Sequence, residues 1–172
     1  MRNNKLSLLY YPDPILARVA KPLDTITAEI QDLAAKMIDL MVSSSGIGLA
    51  GPQVGFGYRI FVASVSGKEE DARVFINPKI SNLEGFSEME EGCLSLPGIH
   101  VNVGRPATCR VEALDVDGQP FVIDATEMQA KVVQHENDHL DGILIIDRIG
   151  TLTRIGCRKA IKQLKNDYEE NR

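Results

Sequence analysis

The chain of 172 residues contains no tryptophan, only 5% aromatic residues and three cysteines. An odd and sparse set of cysteines cannot build the disulfide framework of a small secreted domain. At least one thiol stays free, and a reducing compartment, the cytoplasm, is the expected location. Basic residues are also in the minority: 19 Lys and Arg face 24 Asp and Glu, a net charge of −5. That balance excludes a protein held on nucleic acid or anionic lipid by bulk attraction. Apolar runs are only a few residues long, far short of the roughly 20 that cross a bilayer. The opening stretch, MRNNKLSLLYYPDP, meets proline before a signal-peptide core can form. Repeats, low-complexity tracts and long linkers are missing too, so residues 1–172 read as one domain, long enough to bury about 70% of its unfolded surface.

What is present predicts an α+β fold: antiparallel sheets packed around a central helix, with a further helix at the C-terminus. After an irregular, proline-punctuated arm to Leu23, the residues Ile26, Ile30, Leu33, Met37, Ile38 and Met41 recur at helical spacing, and Ser43–Gly46 ends the segment. Short β-type runs follow at 59–65, 73–80, 99–103, 108–116 and 119–123, with Asp115-Val116-Asp117-Gly118 as a hairpin turn. Thr126 and Gln129 have the spacing of a capping box, opening a helix that runs to Asp141 and stops at Gly142. A last helix from about Thr151 places Leu152, Ile155, Ile161, Leu164 and Tyr168 on an apolar stripe. Arg154, Arg158, Lys162 and Lys165 form a basic stripe on the same helix.

Two of the chain's three histidines fall within five residues, His135-Glu136-Asn137-Asp138-His139, inside the predicted second helix. Residues at i and i+4 stand above one another on a helix. Both imidazoles therefore reach one cation, with Glu136 facing the same site from the side. A solvated helix face with incidental histidines is the competing interpretation of this pattern. The third histidine, His100, is remote; position 145, where a metzincin protease needs another ligand, is Ile145. No glutamate lies between Glu136 and Glu169, which removes a thermolysin-like third ligand.

The third ligand must then come from elsewhere, and Cys93 is the best candidate. It sits in Glu91-Gly92-Cys93-Leu94-Ser95-Leu96-Pro97-Gly98, where glycine permits close backbone approach and proline opposes a helix. One thiolate and two neutral imidazoles leave a tetrahedral ion an open position and suit Fe(II), Zn(II) or Ni(II). Cys109 and Cys157 read as small buried hydrophobes. A glycine-rich segment, Gly46–Gly55, lacks the Lys-Ser/Thr of a phosphate loop, but its Gln53 offers an amide donor to a substrate oxygen.

Together, Gly46–Gly55, Glu91–Gly98 and Gln134–Gly142, with the arm Tyr11-Pro12-Asp13-Pro14-Ile15-Leu16, resemble peptide deformylase over nearly the whole chain. The resemblance implies removal of the formyl group from the N-terminal formylmethionine of newly made polypeptides. It also implies Cys93, His135 and His139 as metal ligands, Fe(II) as the favoured ion, and Glu136 as general base and acid. Gln53 and the Leu94 N–H are then the oxyanion donors. In two places the chain departs from the family pattern: Gly51 stands where alanine is usual, and His100 where many members carry arginine.

A deformylase needs a dead end for formyl, an apolar pocket for methionine, and strand-edge pairing with the peptide backbone; Ile47, Gly48, Met89, Gly92 and Val132 are the candidate substrate-binding positions. Glu88, Glu90 and Glu91 read as solvated, unless Glu91 pairs with Arg105 to fix the loop. The basic stripe on the last helix is an ordinary wet face or a ribosome-docking surface. A zinc peptidase of unfamiliar type and a metal-dependent binding module remain the rival classes. A free Glu136 beside the ligands argues against the module.

Overall fold

A computed structural model describes residues 5–171. Residues 1–4, part of the stretch considered for a signal peptide, lie outside the described residues. The elements in chain order are α1 (Ala28–Ser43), β1 (Gly48–Ala50), β2 (Ile60–Ala63), β3 (Arg73–Glu84), β4 (Ser87–Gly92), β5 (His100–Arg105), β6 (Thr108–Leu114), β7 (Pro120–Thr126), α2 (Glu127–Leu140), α3 (Thr151–Gly156) and α4 (Arg158–Glu170). The strands form an antiparallel five-stranded sheet in the order β1-β2-β3-β6-β7 and a separate antiparallel pair, β4-β5. This is the α+β arrangement that the sequence predicts.

Strand alternation determines which helix each sheet residue meets. Leu49, Ile60, Val62, Val74 and Ile76 face Ile30, Ala34, Met37 and Met41 of α1. Their neighbours Ala50, Phe61, Ala63, Phe75 and Val111 face Ala130, Val133 and Leu140 of α2. The sheet therefore lies between two helices, and fully burying each large side chain, such as Phe61 or Met37, contributes about 1.5–3 kcal/mol. A third cluster joins β5 to the C-terminal segment through Val101, Val103, Ile145, Ile146 and Leu164. Together these layers enclose α2, the helix bearing the two histidines.

Four expectations change. Gly48–Ala50 and Ser87–Gly92 are strands, although the first is only three residues long and the second carries three glutamates. The Thr126 side chain makes no capping bond; Thr126 is still paired with Thr108 in the sheet, and the Glu127 N–H donates to the Ala107 carbonyl at 3.1 Å. The final helix is interrupted at Cys157. Its apolar stripe is incomplete: Leu164 is buried, but Leu152 is 85% and Ile155 61% exposed. The Asp115–Gly118 turn closes as expected, with the Asp115 N–H donating to the Gln119 carbonyl and Gly118 at φ +79°.

Candidate active site

One turn of α2 carries His135, Glu136 and His139, and the irregular segment after β4 brings Cys93 to them. One ligand atom from each of Cys93, His135 and His139 lies within 4.8 Å of the other two. Cys93 Sγ is 3.3 Å from His139 Nε2, and the imidazole centroids are 5.1 Å apart. The fit to a metal ion can be judged from these donors. A soft thiolate and two imidazoles converge, while a buried polar atom of the same helical turn, Glu136 Oε2, has no hydrogen-bond partner. Buried polar atoms are otherwise almost always paired, so this cluster has the chemistry of a cation site.

Charge is distributed unevenly across the turn. Burial drives the Glu136 carboxyl up to about 7, with the Glu91 charge adding to the effect and His135 opposing it. Burial likewise holds His139 well below the ordinary imidazole value, reinforced by the charges of His135 and Arg105. In His135 burial opposes the charge, but bonds to Cys93 and Glu91 and the charge of Glu136 override it and raise the ring to about 10.

A cleft of about 460 Å³ opens over this cluster. Ile47, Gly48, Gly92 and Val132 line it, together with Gln53, Cys93, Leu94, His135 and Glu136. Met89 does not. It shares a face of β4 with Ser87 and Glu91, at two-residue spacing, and lines a separate small pocket beside Val103 and Arg105. Gly48 is pressed against the carboxylate: a methyl carbon built on it would lie 2.2 Å from Glu136 Oε1.

Gln53 is almost fully buried in the turn Gly51–Val54. Its Oε1 accepts the Ala50 N–H at 2.8 Å, which orients Nε2 toward Ser95 Oγ at 3.2 Å and Cys93 Sγ at 3.6 Å. The Leu94 N–H donates to no protein acceptor among the described residues. Ser95 went unnoticed in the sequence, although its place two residues after Cys93 was the available signal. His100, at the register position opposite Gly92, also lines the cleft and packs its ring over that glycine.

Glu91 is not solvated. It is buried, with Arg105 at 2.6 Å and His135 Nδ1 at 2.9 Å. Two members of the basic stripe on the last helix are engaged within the chain: Arg154 donates to the Ile146 carbonyl at 2.8 Å, and Lys165 lies over the Tyr11 ring. Arg158 and Lys162 are exposed.

Comparison with known proteins agrees with this geometry. The family model described as polypeptide deformylase matches residues 5–154. The peptide deformylase of Azotobacter vinelandii is 43% identical over 159 residues, covering 92% of this chain and 95% of that one. A plant peptide deformylase crystal structure superposes with a TM-score of 0.94 at 34% identity, over 99% of this chain and 95% of that one. The enzyme from Plasmodium falciparum gives 0.92 at 34% identity, over 95% and 98%. In sequence and in fold, the chain belongs to the peptide deformylase family.

Proposed function

We propose that this chain hydrolyses the formyl amide of N-formylmethionyl polypeptides as they are synthesised in the cytoplasm, releasing formate, and that its whole length acts as one catalytic domain. The observation that carries this reading is the convergence of Cys93, His135 and His139 beside the unpaired, buried carboxylate of Glu136. The three residues would hold a divalent ion, Fe(II) by family resemblance with Zn(II) or Ni(II) as substitutes. When bound, such an ion supplies Lewis acidity and makes water a stronger acid.

The remaining chemistry falls to the protein. Glu136 takes a proton from the attacking water at Oε2 and returns it to the departing amine nitrogen, and burial, which raises its carboxyl above the ordinary value, suits it to both transfers. The Gln53 amide, oriented by its bond to Ala50, and the Leu94 N–H face the oxygen that becomes negative as water adds to the formyl carbon. Each such donor lowers the barrier by roughly 3 kcal/mol. Gly48 leaves no side chain between substrate and carboxylate. Ile47, Gly92 and Val132 supply the walls for methionine, and the edge of β4 offers backbone pairing that ignores later side chains.

The test is formate release from a formyl-Met peptide by protein purified anaerobically with its metal quantified. Formate in proportion to bound metal is the expected result; cleavage of unformylated peptides at internal bonds would replace this reading with a peptidase. Ribosome docking through Arg158 and Lys162 is a further part of the proposal. Salt-sensitive co-sedimentation with ribosomes is expected, and its loss in an Arg158→Glu, Lys162→Glu protein locates the contact.

A further inference from the structure

Behind His135 runs a file of charges of alternating sign. Arg148, just after the turn Ile145–Asp147, forks onto Asp138: Nε donates to Oδ2 at 3.0 Å and Nη2 donates to Oδ1. Asp138 Oδ2 also accepts from Arg105 Nη1 at 2.8 Å. Arg105 grips Glu91 with Nε at 2.6 Å and Nη2 at 3.0 Å, and Glu91 Oε2 meets His135 Nδ1 at 2.9 Å. The side chains of Arg105, Asp138 and Glu91 are only 6%, 9% and 1% exposed, whereas Arg148 is 42% exposed. Arg148 is thus the member of the file through which it reaches solvent.

We infer that Arg148 is a positioning residue for the His135 imidazole, acting through Asp138, Arg105 and Glu91. The inference rests on the reading of Cys93, His135 and His139 as metal ligands. Its physical basis is the cost of an unpaired buried charge. Two arginines balance two carboxylates in this file. Removing Arg148 leaves an oxygen of Asp138 buried without a donor, and the nearest relief is for the planar Arg105 fork to turn toward Asp138. That turn loosens its two-bond hold on Glu91, and Glu91 is the group that fixes the His135 ring. Partners that orient ligand imidazoles in this way are worth about 10- to 100-fold in metal affinity. Arg148 stands further out, so a change of about tenfold, the lower end of that range, is expected. The C-terminal segment docked around Ile145 and Ile146 would therefore govern how long the metal is retained.

The test follows release of Zn(II) from the loaded protein into a chromogenic chelator. Arg148→Met is expected to release zinc about tenfold faster than wild type. Arg148→Lys should fall between them, since an ammonium restores charge without the fork. In a Glu91→Gln background, where the file is already cut next to the ring, Arg148→Met should add less than about twofold. The urea midpoint of the metal-free protein still falls in that background, which separates positioning from scaffolding. Unchanged release from Arg148→Met, or a full tenfold effect retained in Glu91→Gln, overturns the inference. Should Arg148→Met fail to fold, Arg148→Lys decides alone: release faster than wild type supports the inference, and an unchanged rate overturns it. A wild-type protein that holds no zinc refutes the ligand assignment itself, a result that no Arg148 variant can mimic.

Discussion

Replacing Gly48 with alanine tests the role of Glu136 without touching Glu136. The added methyl carbon would lie 2.2 Å from Oε1, 2.7 Å from Cδ and 2.8 Å from Cγ of that side chain. Ordinary contact lies near 3.5–4.0 Å, so roughly 1 Å or more of separation has to be found. β1 cannot supply it, because Gly48 is paired with Ala63 and the adjoining Leu49 and Ala50 are fully buried on opposite faces. Gly48 is not among the residues with positive φ, so alanine adds no backbone strain and the conflict is purely steric. The Glu136 carboxylate must swing away. Overpacking of this kind costs about 1–3 kcal/mol. For a chain of this size that lowers Tm by roughly 2–12 °C. Moving a catalytic group by about 1 Å costs on the order of 100-fold in rate. The assay is kcat/KM for formate release, read with metal content and Tm on the same preparation. Metal should stay at one equivalent, since the atoms the new methyl meets most closely belong to Glu136 and not to a ligand. The comparison is Gly46→Ala, whose methyl meets the flexible end of Leu94 at 2.9 Å and should cost less than about tenfold. A Gly48→Ala protein with full metal and wild-type kcat/KM would refute Glu136 as the proton carrier.

Other variants separate the remaining roles. Glu136→Ala should keep its metal and lose about 10²- to 10⁴-fold in turnover, with Tm unchanged or higher because a poorly solvated carboxyl is removed; wild-type turnover would contradict this. Cys93→Ser exchanges a soft ligand for a hard one and should lose iron on anaerobic gel filtration, so an unchanged iron stoichiometry would remove Cys93 from the site. Gly51→Ala, the residue usual in the family, should destabilise this chain by about 1–3 kcal/mol, since its methyl would meet the backbone oxygens of Phe56 at 2.8 Å and Tyr58 at 3.0 Å; a wild-type urea midpoint would show that the loop yields freely. Burial opposes the charge of Glu91, but bonds from His135 and Arg105 prevail and lower its carboxyl from 4.5 to about 2. A depressed carboxylate stabilises the fold above its unfolded value and ceases to as pH falls through its folded value. Urea midpoints of wild type should therefore decline between pH 4.5 and about 2, and in Glu91→Gln that decline should be shallower from a lower starting point; parallel curves would dissociate Glu91 from the acid response.

The sequence by itself determined what depends on neighbours along the chain. The four-residue step from His135 to His139 places two imidazoles on one helix face wherever that helix lies, and the Asp115–Gly118 turn and the α1 periodicity are equally local. The family motifs added the partners of the turn, because three spaced segments match together where one alone would not. Tertiary structure decided what depends on direction and distance. Met89 lies outside the cleft, in a separate small pocket beside Val103 and Arg105, because the pairing of β4 with β5 sets where along the cleft the strand runs, and nothing in Ser87–Gly92 alone fixes that pairing. The glutamates of that strand look solvated until Arg105 and His135 arrive from other elements to neutralise Glu91. Leu152 and Ile155 keep a helical spacing but find no layer to pack against, which only the placement of Thr151–Gly156 relative to the rest of the fold decides. Apart from the Glu91–Arg105 pair, which the sequence offers as one alternative, the file from Arg148 to His135 is likewise silent in the sequence. Its links bridge 10, 33, 14 and 44 residues, and an ion pair's strength is set by separation and burial in space, which chain order does not encode.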